Sequence, residues 1–306
     1  MAADIRVKGI VYMSVSMGWI RKSRAEIWDD LRRIREDLHA NTVRLEGHDR
    51  RLWECAALAK KEGLEVWLHP KANIGVPPKS EFLRMTEEAV PQAQELGVNV
   101  YLLGNELSLE VNLWDDRLLN YTERDIPREV IEPLRRQPEV FQEFLAQLLE
   151  IARAKFAGPI GYAAASWEFD HVDWEQFDVV LCNQFLWPPT KDNFPDLLRK
   201  MKGFGKPAVL GECGYLTIDR AFEAGPLYWY PQKHRVRYDE GAQAACLRAC
   251  LELVQEASLD GVFIQEWQDL DDMGFGLVRK DGKPKRAYKV VAEFFQTFGS
   301  KGGRGA

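Results

Sequence analysis

The stretch Val100–Glu110, VYLLGNELSLE, begins as an apolar run and stops on an amide and a carboxylate, Asn105 and Glu106. A short run such as Val100–Gly104 reads as a buried strand. Burying a carboxylate costs several kcal/mol unless it has partners, so a strand that ends on Glu106 delivers that group to a place that uses it. The same unit recurs on both sides. Strand-like runs begin near Val7, Thr42, Glu65, Asn99, Ile160, Asp178, Ala208 and Gly261, and each leads to a helical candidate. In SRAEIWDDLRRIREDL, Ile27, Leu31, Ile34 and Leu38 recur at helical spacing, whereas the run at Ile160 leads only to a short segment around VDWEQF. Strands alternating with helices imply parallel pairing and right-handed crossovers. Eight such units predict an α/β fold, a closed (β/α)8 or TIM barrel. An open, doubly wound sheet would show a Gly-rich phosphate turn after its first strand, and YMSVSMGWI has none. The expected organisation is one barrel domain over 1–299, long loops after strands 4 and 7, and a disordered tail, SKGGRGA, over 300–306.

Composition narrows the function. At 306 residues and 46% hydrophobic the chain can fill one large core, and a net charge of −6 without a dense basic run argues against nucleic acid. No apolar run reaches the ~18 residues of a membrane span. The N-terminus lacks the basic-then-apolar layout of a signal peptide, so the expected location is cytoplasmic. Five cysteines with no CxxC pair read as reduced thiols, with Cys246 and Cys250 on one helix face. No Walker, zinc-spacing or GxSxG motif is present, and no cofactor is expected.

A barrel carries its active site at the C-terminal ends of its strands. Those ends hold Arg44, Glu46 and His48 on strand 2, Trp67 and His69 on strand 3, and Asn105 and Glu106 on strand 4. Strand 5 adds Ser166 and Trp167; strand 6 adds Asn183, Gln184 and Phe185, with Trp187 beyond; strand 7 adds Glu212; strand 8 adds Gln265, Glu266 and Trp267. Strands 4 and 7 lie on opposite sides of a barrel, so Glu106 and Glu212 can flank one bond. Glycoside hydrolysis needs such a pair, a protonated acid and an ionised nucleophile or base. His48 and His69 with Glu46 show no HxH or HExxH spacing, which favours substrate hydrogen bonding or packing over a metal. The loop after strand 7 holds Tyr228, Trp229 and Tyr230, either a hydrophobic plug or a sugar-stacking wall. In QDLDD, Asp269, Asp271 and Asp272 read as a solvated loop or a cation site.

Asn-Glu ending strand 4, Glu ending strand 7, Arg44 on strand 2 and Trp267 on strand 8 together resemble clan A of the glycoside hydrolases. More narrowly, DDLHANTVRLEG, NELSLEVN, VDWEQFDVV and GKPAVLGECGY resemble a bacterial family often labelled "abortive infection protein". The clan resemblance implies a retaining hydrolase or transglycosylase acting on a carbohydrate. Glu106 would be acid/base, Glu212 the nucleophile, Asn105 a partner of the sugar 2-hydroxyl, Arg44 the group that keeps Glu212 ionised, and Trp267 the floor of the sugar subsite. Many clan members place Tyr or His at the end of strand 6 to touch the nucleophile. Here Asn183, Gln184 or Phe185 stands there, and either Tyr215 substitutes from a loop or nothing does. Glu266 is an extra carboxylate for substrate binding or an ion pair. Two readings compete with catalysis by this pair: a non-catalytic carbohydrate-binding or phage-defence barrel, and a metal-dependent hydrolase or aldolase.

Overall fold

A computed structural model of the chain describes residues 6–12, 22–47, 49–72, 75–114, 126–226, 235–270 and 273–299. The 300–306 tail, His48, Asp271, Asp272 and the aromatic run Tyr228, Trp229 and Tyr230 lie outside the described residues. Eight strands close into one barrel in chain order: β1 (Val7–Val11), β2 (Thr42–Glu46), β3 (Glu65–His69), β4 (Val100–Asn105), β5 (Ile160–Ala165), β6 (Val179–Asn183), β7 (Ala208–Cys213) and β8 (Gly261–Ile264). Every neighbouring pair is parallel, including the β1–β8 closure. The eight starts fall within one residue of those read from the sequence.

Around the strands run α1 (Arg24–Glu36), α2 (Arg50–Lys61), α3 (Lys79–Leu96), α4 (Leu107–Glu110), α5 (Glu132–Arg136), α6 (Pro138–Lys155), α7 (Phe194–Lys202), α8 (Ala221–Ala224), α9 (Glu240–Glu256) and α10 (Arg286–Thr297). Local signals set their ends. At α1, Ser23 Oγ accepts from the Glu26 amide at 3.3 Å while Glu26 Oε2 accepts from the Ser23 amide at 2.7 Å, satisfying two donors that a helix start leaves open. Ile27, Leu31 and Ile34 then face the sheet. α3 stops at Gly97, whose φ of 66° suits a residue without Cβ. No helix among the described residues is long and apolar enough to cross a membrane.

Two connections depart from the sequence reading. Between β5 and β6 no α-helix forms; short 3-10 turns at Phe169–His171 and Trp174–Gln176 take its place. Only 13 residues, 166–178, separate β5 from β6. Their aromatics bury against one another, with the Phe169 and Trp174 ring centroids 5.1 Å apart. The long segment after β4 is not irregular throughout: it contains α4, a π-helical turn at Ile126–Ile131 and α5.

Alternation along the strands fills the barrel with Val7, Val11, Trp67, Val100, Leu102, Ala163, Val179, Leu181, Val209 and Phe263. Trp67 meets the edge of Phe263 with centroids 5.2 Å apart, and the Arg44 guanidinium lies over the same Phe263 ring at 5.9 Å. Phe263 fits because β1 places a glycine beside it: a Cβ on Gly9 would stand 2.2 Å from the ring. Packed interiors lose roughly 1–3 kcal/mol when extra atoms are forced in. Gly9→Val should therefore lower the unfolding free energy by that order, read as a lower urea midpoint at unchanged slope. A midpoint equal to wild type would show that Phe263 and Arg44 are not held by this packing.

Candidate active site

β4 and β5 slip in register at their C-terminal ends, where Asn105 rather than Gly104 pairs with Ala163. Glu106 follows in the left-handed region, φ 45° and ψ 52°, its amide donating to the Ala163 carbonyl at 2.8 Å. A non-glycine residue there is strained. The bend turns the chain straight into α4.

Across the barrel, β6 and β7 also slip, so that Asn183 pairs with Glu212. One amide group of Asn183 serves two partners: Nδ2 donates to Asn105 Oδ1 at 2.8 Å and to Glu106 Oε1 at 3.0 Å. A Cβ on Gly211 would stand 2.3 Å from Asn183 Oδ1, so the glycine before Glu212 makes room for this bridge. From β2, Arg44 donates through Nη2 to Glu212 Oε1 at 2.6 Å and through Nη1 to the Gly211 carbonyl at 2.9 Å. Its side chain is 1% exposed. A buried pair of this kind needs its hydrogen bonds to offset the desolvation of both charges.

The two carboxyls are therefore unequal. Burial, and then the charge of Glu212, push Glu106 well above the usual carboxylate range; the Asn183 hydrogen bond opposes this. Burial also leaves Glu212 above the usual carboxylate range, but there the charge and hydrogen bond of Arg44 oppose the rise, whereas Glu106 has no cation bonded to it among the described residues. Of the coupled pair, Glu212 gives up its proton first. A third carboxyl, Glu46, feels strong burial too. There the Lys71 ammonium, followed by His69 and Arg44, outweighs burial and holds it far below the usual range.

A polar chain extends from this pair along the β2–β4 rim. Lys71 Nζ stands 3.1 Å from Glu46 Oε1 and 3.0 Å from Glu110 Oε1, and His69 Nε2 stands 3.2 Å from Glu46 Oε2. Asn105 Nδ2 donates to Glu110 Oε1 at 3.2 Å. The Asn112 amide donates to the Pro77 carbonyl at 2.8 Å, tying the loop after β3 to the loop after β4. Among the described residues no group of three or more His, Cys, Asp or Glu is arranged to hold a metal ion.

The structure thus gathers Arg44, His69, Asn105, Glu106, Asn183 and Glu212 from five different strands, β2, β3, β4, β6 and β7. Other predicted contacts fall elsewhere. Trp67 is fully buried inside the barrel against Phe263 and presents no open face. Trp267 is fully buried between the Arg33 guanidinium, 5.2 Å from its ring, and Tyr288 at 6.1 Å, on the helix side of the sheet, so it does not floor a subsite. Tyr215 donates its hydroxyl to the Leu186 carbonyl at 2.7 Å and does not stand in for the strand 6 residue at Glu212. Gln184 reaches its neighbour, the Phe185 carbonyl, at 3.4 Å. Half-buried Trp187 lies over Gly225, and Trp167 donates to Ser108 Oγ at 3.1 Å. Glu266 is buried and lies in the field of Lys285. Asp269 is no solvated loop residue, since it pairs with buried Lys285 at 2.7 Å. His48 and Trp229 lie outside the described residues. Cys213 is buried, with Cys250 of α9 as its hydrogen-bond partner. Sequence reasoning missed Lys71, Glu110 and Glu168. The one available signal was a charged residue two or more positions beyond an apolar run, which is also how a solvated turn begins.

No family model matches the sequence, and no curated protein matches it. Solved structures do match over nearly the whole chain. A GH113 β-1,4-mannanase superposes with a TM-score of 0.70 at 15% identity, covering 96% of this chain and 99% of its own. A GH113 β-mannanase from Alicyclobacillus acidocaldarius gives 0.68 at 15%, covering 95% and 97%. A GH2 β-galacturonidase from Eisenbergiella tayi bound to galacturonate gives 0.66 at 19%, covering 96% of this chain and 52% of its own. The chain spans about half the length of that GH2 enzyme. These likenesses establish a barrel fold shared with glycoside hydrolases of clan A. Nothing among them supports the "abortive infection protein" label.

The raised Glu106 group has a consequence for stability. It holds its proton more tightly folded than unfolded, so the stability it lends is full below the unfolded value, about 4.3. That stability is lost as pH rises through the folded value. Glu106→Gln removes the titration. Urea midpoints of the variant should decline less than those of wild type as pH rises above about 4.3. Parallel curves would contradict the assignment.

Proposed function

We propose that the chain is a glycoside hydrolase acting by double displacement, with Glu212 as nucleophile and Glu106 as acid/base. The observation that carries this reading is the asymmetry of the pair: Arg44 bonds Glu212 at 2.6 Å, while the Glu106 carboxyl, among the described residues, is bonded by the neutral amide of Asn183 at 3.0 Å. The ionised Glu212 carboxylate attacks the anomeric carbon. Protonated Glu106 gives its proton to the departing oxygen, and the covalent glycosyl ester forms as the glycosidic bond breaks. Glu106, now ionised, takes a proton from water, and that water cleaves the ester. Retention of anomeric configuration follows from two inversions at one carbon. Asn105 keeps a second amide hydrogen for the sugar 2-hydroxyl beside its bond to Glu110. The near-complete overlap with β-mannanases makes β-mannosides the first substrates to try, and the overlap with a β-galacturonidase adds uronides.

A second reading, a carbohydrate-binding or defence-associated barrel without turnover, draws support from one observation. Trp267 and Tyr215, expected at the sugar and at the nucleophile, are packed away from both. Aryl glycosides separate the two. Glu212→Ala should abolish turnover, and azide should restore it as a glycosyl azide of opposite anomeric configuration. Glu106→Ala should cost about 100-fold or more on natural glycosides and far less on dinitrophenyl glycosides, which need little protonation. Wild-type protein that binds sugar but releases no product, or products of inverted configuration by NMR, would overturn the double-displacement reading.

A further inference from the structure

Glu106 is the residue just before α4, and a residue in that place ordinarily turns its own side chain back to accept from the second or third amide of the helix. Here it makes no such bond. The amides are satisfied from β5 and the segment that follows it instead. The Leu107 amide donates to Tyr162 Oη at 2.8 Å, and the Ser108 amide donates to Glu168 Oε1 at 2.7 Å. The other oxygen of Glu168 accepts from Tyr162 Oη at 2.6 Å and from the Ala165 amide at 2.8 Å. The next two amides of α4, Leu109 and Glu110, reach the Glu106 carbonyl at 2.7 and 2.9 Å. Glu168 and Ser108 are both fully buried. Three donors converge on a carboxylate with no cation bonded to it, an arrangement that costs desolvation and is offset only by those hydrogen bonds.

We propose that Glu168 is a positioning residue for Glu106: it caps the start of α4 in place of the Glu106 side chain, and so leaves that carboxylate turned toward Asn183 and Glu212. The assignment rests on Glu106 being the acid/base. Without Glu168 the Ser108 amide becomes a buried donor with no acceptor, and the Glu106 carboxylate lies two residues away, in the ordinary capping place. Once there it no longer faces the leaving oxygen. Glu168 also contributes to Glu106's raised proton affinity, behind burial and Glu212; Glu110 on the same helix adds to it, and Asn183 opposes it. Burial holds Glu168 itself up at about 6, against the Ser108, Tyr162 and Ala165 hydrogen bonds.

Two readouts test this. The first is the slope of log kcat/KM against leaving-group pKa for a series of aryl glycosides. Glu168→Leu, which leaves the Ser108 amide without an acceptor, should lose about 100-fold on the poorest leaving groups and stay within about 5-fold on dinitrophenyl, steepening the slope, because acid assistance alone depends on the leaving group; Glu168→Gln, whose side-chain oxygen can still accept from Ser108, should lose less. A folding defect would lower every substrate by the same factor, and that result would overturn the proposal. Tyr162→Phe, which removes one donor to Glu168 and the Leu107 cap, should steepen the slope less. The second readout needs no activity. In the crystal structure of Glu168→Leu the Glu106 carboxylate should leave Asn183 Nδ2 and approach the Ser108 amide, whereas in Tyr162→Phe, where Glu168 still accepts from Ser108, it should stay on Asn183. A Glu106 side chain still bonded to Asn183 in Glu168→Leu would overturn the proposal. If wild-type protein hydrolyses no glycoside, the proposed function falls, while the crystal structures still decide whether Glu168 positions Glu106.

Discussion

Two carboxyl groups share one buried space, and a single guanidinium bonds only one of them. The β2–β7 reach of Arg44 therefore decides how Glu106 and Glu212 differ, and much of the barrel interior is arranged to permit it. Arg44 lies over Phe263, Phe263 stands where Gly9 leaves space, and Gly211 leaves space for the Asn183 bridge. The second cation of the rim, Lys71, is held by Glu46 and Glu110. Each cation is thus committed to a carboxylate before any ligand arrives, and Glu106 is left with a neutral partner. That is the condition for one carboxyl to hold a proton while its neighbour gives one up.

The barrel was legible because its signal is periodic and repeated. Eight apolar runs, all but the one at Ile160 followed by a clear helical pattern, point to one topology even when single boundaries shift by a residue, as at Asn99 and Asp178. The proposed catalytic pair was visible for a similar reason: Glu106 and Glu212 end apolar runs abruptly, and nothing about a strand core needs a carboxylate there. Arg44 could be placed because its inward parity along β2 is fixed by the strand period.

The failures have a common cause. Trp67 and Trp267 sit at strand ends in the sequence, but whether a strand-end aromatic opens to the mouth or packs away depends on register slips and on neighbours far away in sequence. Trp67 meets Phe263 of β8, and Trp267 meets Arg33 of α1 and Tyr288 of α10. Tyr215 finds the Leu186 carbonyl, a contact set by how the β6 and β7 loops lie together. Glu168, Lys71 and Glu110 look like solvated charge in one dimension. Only folding brings three donors to the first and two carboxylates to the second.

The left-handed backbone at Glu106 ties chemistry to evolvability. Glycine or asparagine would relax that φ of 45°, and either would remove the carboxyl that burial makes costly to ionise. With Glu106 as the proposed acid/base, position 106 is a place where relief of backbone strain and loss of activity coincide, the usual conflict between stability and activity compressed into one residue. On that reading a library screened on melting temperature alone would drift toward an inert barrel. Holding that one codon fixed keeps the rest of the scaffold open to improvement.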